Sequence, residues 1–214
     1  MSLNVYFGGT FDPIHSGHLA LAMAAQKTLQ SDIVFIPSAD PPHRPPTSAN
    51  AQHRIKMVEL AIANHPGFTC DERELLRADK SYSIDTLTEL RAELNETVPI
   101  VWLMGMDSFL GLDTWRNWQD LFSLCHFVIA QRPGQDMANM SAELKQATHL
   151  RWVKSAQSLN DSPAGNLFLL PMALREESAT GIRMDLQNHL PAVELLPKPV
   201  AEYIQSHKLY ASGL

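Results

Sequence analysis

His15 and His18 stand three residues apart, with Gly17 between them, at the end of the run Gly8-Gly9-Thr10-Phe11-Asp12-Pro13-Ile14-His15-Ser16-Gly17-His18. At helical spacing such a pair lies on one face, so both imidazoles can address one ligand, and each ring can donate a hydrogen bond. A phosphoryl group suits them. Gly8 and Gly9 let backbone N–H groups come close to an anion, and a helix opening at this point adds a partial positive charge aimed at the same place. Two other readings stand beside this one. Histidines at this spacing also occur as plain surface or core residues, and an i, i+3 pair can share a metal ion. No cysteine or carboxylate cluster nearby completes a coordination shell, which leaves metal ligation poorly supported.

A second cluster, Ser178-Ala179-Thr180-Gly181-Ile182-Arg183, places two hydroxyls at a helix start and a guanidinium within about one turn. Taken alone it is a plain N-cap by Ser178 or Thr180 with a solvated arginine. Taken with the first run it is a second anion site. Between them, Ser38 to Pro46 is a proline-locked loop carrying His43 and Arg44, and Gly105-Met106-Asp107 follows a long apolar run. Asp107 has the alternative role of a helix cap, and Trp115 and Trp118 that of core packing.

These residues need elements to hold them. Val5 to Phe7 reads as a strand and Leu19 to Leu29 as a helix, which makes the glycine and histidine run a strand-to-helix turn. Further strands are predicted at 32–36, 68–70, 100–104, 126–130 and 167–170. Helices are predicted at 51–64, from about 83, where Ser83 is a candidate cap, and at 142–147, with a short closing helix near the C-terminus. Ile55, Val58 and Ile62 form the buried stripe of the 51–64 helix, with Arg54 off it, and Asp71 to Glu74 reads as a solvated turn. Continuous apolar strands alternating with helices predict an α/β fold, a Rossmann-like doubly wound parallel sheet in a single domain spanning residues 1–214. Every candidate site residue then falls near the C-terminal ends of strands, where such sheets bind ligands. The loosely patterned stretch from 137 to 165 reads as a variable insertion.

The 214 residues are 45% hydrophobic with a formal net charge of −6, enough for one sizeable core and the wrong sign for a broad nucleic-acid surface. Cys70 and Cys125 lack metal or disulfide spacing and read as buried thiols. No apolar run reaches the ~18 residues of a membrane span, and no export pattern opens the chain, so a soluble cytoplasmic protein is expected. The glycines do not form Gly-x-Gly-x-x-Gly, so a tightly held redox dinucleotide is not indicated.

The first run resembles the signature of the His-x-Gly-His nucleotidyltransferases. Its combination with Pro41-Pro42-His43-Arg44, Ser81-Tyr82-Ser83-Ile84-Asp85-Thr86-Leu87, Gly105-Met106-Asp107, Ser178 to Arg183 and a tail with Val200 and Tyr203-Ile204 resembles the bacterial nicotinate mononucleotide adenylyltransferases. The resemblance implies transfer of the adenylyl group of ATP to nicotinate mononucleotide. It implies His15 and His18 as catalytic residues. Gly8, Gly9, Thr10, Phe11, His43, Arg44, Ser178, Thr180 and Arg183 would bind ATP and its phosphates, and Tyr82, Thr86, Gly105, Asp107 and Trp115 the mononucleotide. Mg2+ would arrive with ATP. Another phosphate acceptor such as phosphopantetheine, or a nucleotide sensor without catalysis, are the alternative functions.

Overall fold

Strands whose residues are apolar on both faces must be covered on both faces, and the chain meets this need with helices on either side of a single parallel sheet. A computed structural model describes residues 3–39, 47–77, 81–131, 137–172, 177–188 and 190–211. Within them run β1 (Asn4–Gly9), α1 (Ser16–Leu29), β2 (Ile33–Pro37), α2 (Ala51–Ile62), β3 (Phe68–Cys70), α3 (Ser83–Leu94), β4 (Ile100–Gly105), α4 (Met106–Leu110) and α5 (Leu121–Leu124). They are followed by β5 (His126–Ala130), α6 (Ala142–Thr148), β6 (Trp152–Val153), β7 (Leu167–Leu170), α7 (Ala179–Gln187) and α8 (Lys198–Ser206).

The strand order is β3-β2-β1-β4-β5-β7-β6, with every pairing parallel. The chain winds outward from β1 to β3, then returns to place β4 on the other side of β1. That reversal is the switch point of a doubly wound sheet, where the flanking connections part and leave a crevice. Pairing of β1 with β4 ends at Phe7 and Leu103, so Gly8 and Gly9 lie just past the last shared rung.

Period-2 alternation within these apolar strands sorts the core into two clusters. Val5, Phe7, Phe35, Leu103 and Val128 pack with α1, α2 and α8 on one face. Tyr6, Ile36, Trp102, Met104 and Ile129 pack with α3, α4 and α6 on the other. Burying each large side chain is worth roughly 1.5–3 kcal/mol, so the strands are secured from both sides.

Several expectations are corrected. The 137–165 stretch, expected as a loosely patterned insertion, contributes to both core and sheet: Leu144 and Leu159 are fully buried, and β6 pairs with β7 as the sheet edge. A two-residue strand is too short to show period-2 patterning. Arg54 is only 1% exposed, although it lies off the apolar stripe. Glu74 is buried too, accepting a hydrogen bond from Thr86 Oγ1 at 2.7 Å, so residues 71–74 are not a solvated turn. Burial, opposed by that hydrogen bond, lifts the Glu74 carboxyl above its ordinary range. Arg73 forks onto Glu93 at 3.0 and 3.1 Å and ties the segment down on α3. Tyr82, not Ser83, occupies the N-cap of α3. Cys125 is buried as expected, whereas Cys70 is half-buried. Among the described residues, no helix is long and apolar enough to cross a membrane.

Candidate active site

The turn from β1 into α1 is held by close packing. A Cβ on Gly8 would lie 2.1 Å from Trp102 Cζ2, and one on Gly9 would lie 2.9 Å from Phe11 Cζ. Both glycines are therefore needed to let rings lie against the strand exit. At the helix entrance His15 is the N-cap residue of α1, and its ring stacks on that of His18 with centroids 3.7 Å apart and planes at 29°. Gly17 makes room for this, since a Cβ there would sit 3.0 Å from His15 Nδ1. The His15 backbone N–H donates to His18 Nδ1 at 3.3 Å. An accepting Nδ1 puts the proton of a neutral imidazole on Nε2, so the fold selects the tautomer of His18. Phe7 and Phe11 set the ring's tilt, with centroids 5.9 and 5.1 Å from it.

Two buried charges brace the turn from behind. Arg54, on α2, donates to the carbonyls of Thr10 at 2.7 Å and Ser38 at 2.6 Å. The Asp12 carboxylate accepts from the backbone N–H groups of Ser48 at 2.7 Å and Ala49 at 3.1 Å, and from the Tyr210 hydroxyl at 2.7 Å. Neither residue was singled out from the sequence, because their partners are distant in the chain and leave no local pattern.

The second cluster opens α7. Ser178 Oγ accepts from the Gly181 backbone N–H at 3.1 Å, which makes it the N-cap. Arg183 donates to Thr180 Oγ1 at 3.3 Å and to the Asp12 carbonyl at 2.7 Å, so α7 is latched onto the first turn. Two helix N-termini, each with a partial positive charge, thus meet at one place.

They open on a cavity of about 520 Å³ at the switch point, lined by Gly8, Gly9, Thr10, Phe11, His15, His18, Gly105, Asp107, Ser178, Thr180 and Arg183 together. A Cβ on Gly105 would meet nothing within 4 Å, so this glycine leaves open space beside the cavity. Thr47, Ser108, Gln131, Met172 and Glu177 also line it and were not anticipated. Ser108 follows Asp107 and Gln131 follows β5 at strand exits, which is the one signal that could have found them.

Other candidates lie elsewhere. Tyr82, Thr86 and Trp115 do not line this cavity. Thr86 is fully buried between Glu74 and Arg77, the Tyr82 ring carries the Arg116 guanidinium at 4.8 Å, and Trp115 packs beside the core. Trp118 packs on the same core, as expected. His43 and Arg44 lie outside the described residues. Among the described residues, no group of three or more His, Cys, Asp or Glu is placed to hold a metal ion.

Comparison with known proteins follows the same lines. A cytidylyltransferase-like family model matches residues 6–184. A probable nicotinate-nucleotide adenylyltransferase of Stenotrophomonas maltophilia (strain K279a) is 48% identical, over 99% of this chain and 98% of its own. One of the same name from Yersinia pestis (strain Pestoides F) is 44% identical, over 98% and 96%. Plasmodium falciparum nicotinic acid mononucleotide adenylyltransferase, solved in complex with NaAD, superposes with a TM-score of 0.74 over 98% of both chains. At 15% identity that likeness is one of fold.

Proposed function

The chain belongs to the cytidylyltransferase-like nucleotidyltransferases, and within them to the nicotinate-nucleotide adenylyltransferases, and from that premise we propose the reaction its cavity performs. The enzyme transfers the adenylyl group of ATP to nicotinate mononucleotide, giving nicotinate adenine dinucleotide and pyrophosphate, a step of NAD biosynthesis. The observation that carries this reading is the meeting of the α1 and α7 N-termini, with His15, His18 and Arg183, around one cavity at the switch point.

The chemistry asks little of the protein in the way of acids and bases. The phosphate of a mononucleotide is already anionic and attacks the α-phosphorus of ATP directly, so catalysis is alignment and relief of repulsion. Thr10, His15 and His18 with the nearby backbone N–H groups receive the oxygens of the α-phosphate as charge moves toward the leaving pyrophosphate. Nε2 of His18 carries the donor proton. Ser178, Thr180 and Arg183 hold the departing pyrophosphate at the head of α7, and the family resemblance extends phosphate binding to His43 and Arg44. Gly105 and Asp107 face the acceptor. Magnesium would enter with ATP as part of the substrate and would offset the charge of the triphosphate. The reaction belongs to the cytoplasm and involves neither nucleic acid nor membrane.

The test is pyrophosphate release from magnesium-ATP with nicotinate mononucleotide, nicotinamide mononucleotide and phosphopantetheine offered in parallel. Release confined to nicotinate mononucleotide is the expected result. Release with phosphopantetheine alone would move the acceptor, and tight ATP binding without release from any acceptor would make the protein a sensor.

A further inference from the structure

The segment after α8 returns to the first turn of the molecule. Its backbone takes left-handed conformations at Lys208 (φ 51°) and Tyr210 (φ 64°), which side chains with a Cβ adopt only when their surroundings hold them there. Tyr210 is held at both ends. Its ring is buried in the core cluster that contains Phe7, Phe11 and Ile14, and its hydroxyl donates to Asp12 Oδ1 at 2.7 Å. Burial first, and the Asp12 carboxylate second, push the hydroxyl's pKa upward, so it is a donor at every working pH.

Asp12 passes that constraint in two directions. Its carboxylate also takes the Ser48 and Ala49 N–H groups ahead of α2, while its carbonyl takes Arg183 from α7. It stands three residues before His15. Without the Tyr210 hydroxyl, Oδ1 would keep only the longer bond from the Ala49 N–H, and the loosened carboxylate would disturb the histidine turn and the anchor of Arg183 together. We infer that Tyr210 is a positioning residue for adenylyl transfer, its hydroxyl holding the 11–18 turn and Arg183 in register through Asp12. The inference rests on the proposed reaction for its kinetic consequence, though not for its structural one.

Tyr210→Phe removes the hydroxyl and keeps the ring. Tyr203→Phe is the matched control, because it removes another tyrosine hydrogen bond of the C-terminal region, from α8 to His53 Nδ1 at 2.9 Å, on the side turned to α2. Two readouts are compared across wild type and both variants: hydrogen–deuterium exchange of the 9–19 segment, and turnover with the KM for ATP. The expected result is faster exchange of that segment and about a tenfold lower turnover, with KM within about twofold, in Tyr210→Phe alone. Unchanged exchange in Tyr210→Phe, an unchanged turnover, or an equal fall in Tyr203→Phe overturns the inference. A wild-type protein that releases no pyrophosphate counts against the proposed function, and the exchange comparison then decides whether Tyr210 holds the turn.

Discussion

At the scale of single residues, glycines with similar local surroundings carry opposite demands. Gly8 has an indole where its Cβ would be, and Gly105 has open space. Gly8→Ala should cost about 1–3 kcal/mol by overpacking, read as a lower urea midpoint. Gly105→Ala should leave stability within about 0.5 kcal/mol, since its φ of −80° suits alanine, yet raise the KM for the acceptor as a methyl group enters the cavity. His18→Ala removes a preorganised donor that acts as charge develops, so turnover should fall about a hundredfold or more. A His18→Ala enzyme with wild-type turnover would remove the ring from the mechanism.

At the scale of elements, the same feature can be both architecture and site. Ser178 caps α7, so Ser178→Ala should cost about 1 kcal/mol, and a rise in the KM for ATP beyond that would show the hydroxyl also meeting phosphate. The bounds of β3, β5 and β7 were readable to the residue because short runs rich in aromatic, branched and apolar residues stop at Asp71, Gln131 and Pro171. The histidine turn and the α7 start were equally plain, each being a local run of residue types with one geometric meaning. What could not be read was long-range closure. Arg54 on a helix looks solvated until carbonyls from Thr10 and Ser38 arrive from other loops. Asp12 and Tyr210, 198 residues apart, have no pattern that pairs them. Glu74 was hidden in the same way, since a carboxylate among charged neighbours looks wet until Thr86 and Arg77 close over it.

At the scale of the whole molecule, stability should follow one buried imidazole. His126 is fully buried at the head of β5, with Nε2 facing the Ser162 carbonyl at 2.8 Å and Nδ1 accepting from the Asn166 N–H at 3.0 Å. Burial, only partly offset by the Ser162 hydrogen bond, lowers its pKa below the ordinary 6.5. The unfolded chain therefore takes up this proton before the folded one does. Its contribution is complete above about pH 6.5 and is lost as pH falls toward the folded pKa, at up to about 1.4 kcal/mol per pH unit. The lifted Glu74 carboxyl acts in the opposite sense as pH falls, so the His126 slope is read as the difference between wild type and His126→Gln in urea titrations from pH 7 to 5, with the variant less stable at pH 7. The bond between Asp12 and Tyr210 has a consequence in time as well as in space. A ribosome adds roughly 5–20 residues per second, so the turn that holds the histidines waits on the order of 10–40 s after Asp12 is made for the residue that fastens it. A nascent chain can carry its histidine turn and most of its sheet before the bond that fastens the turn exists.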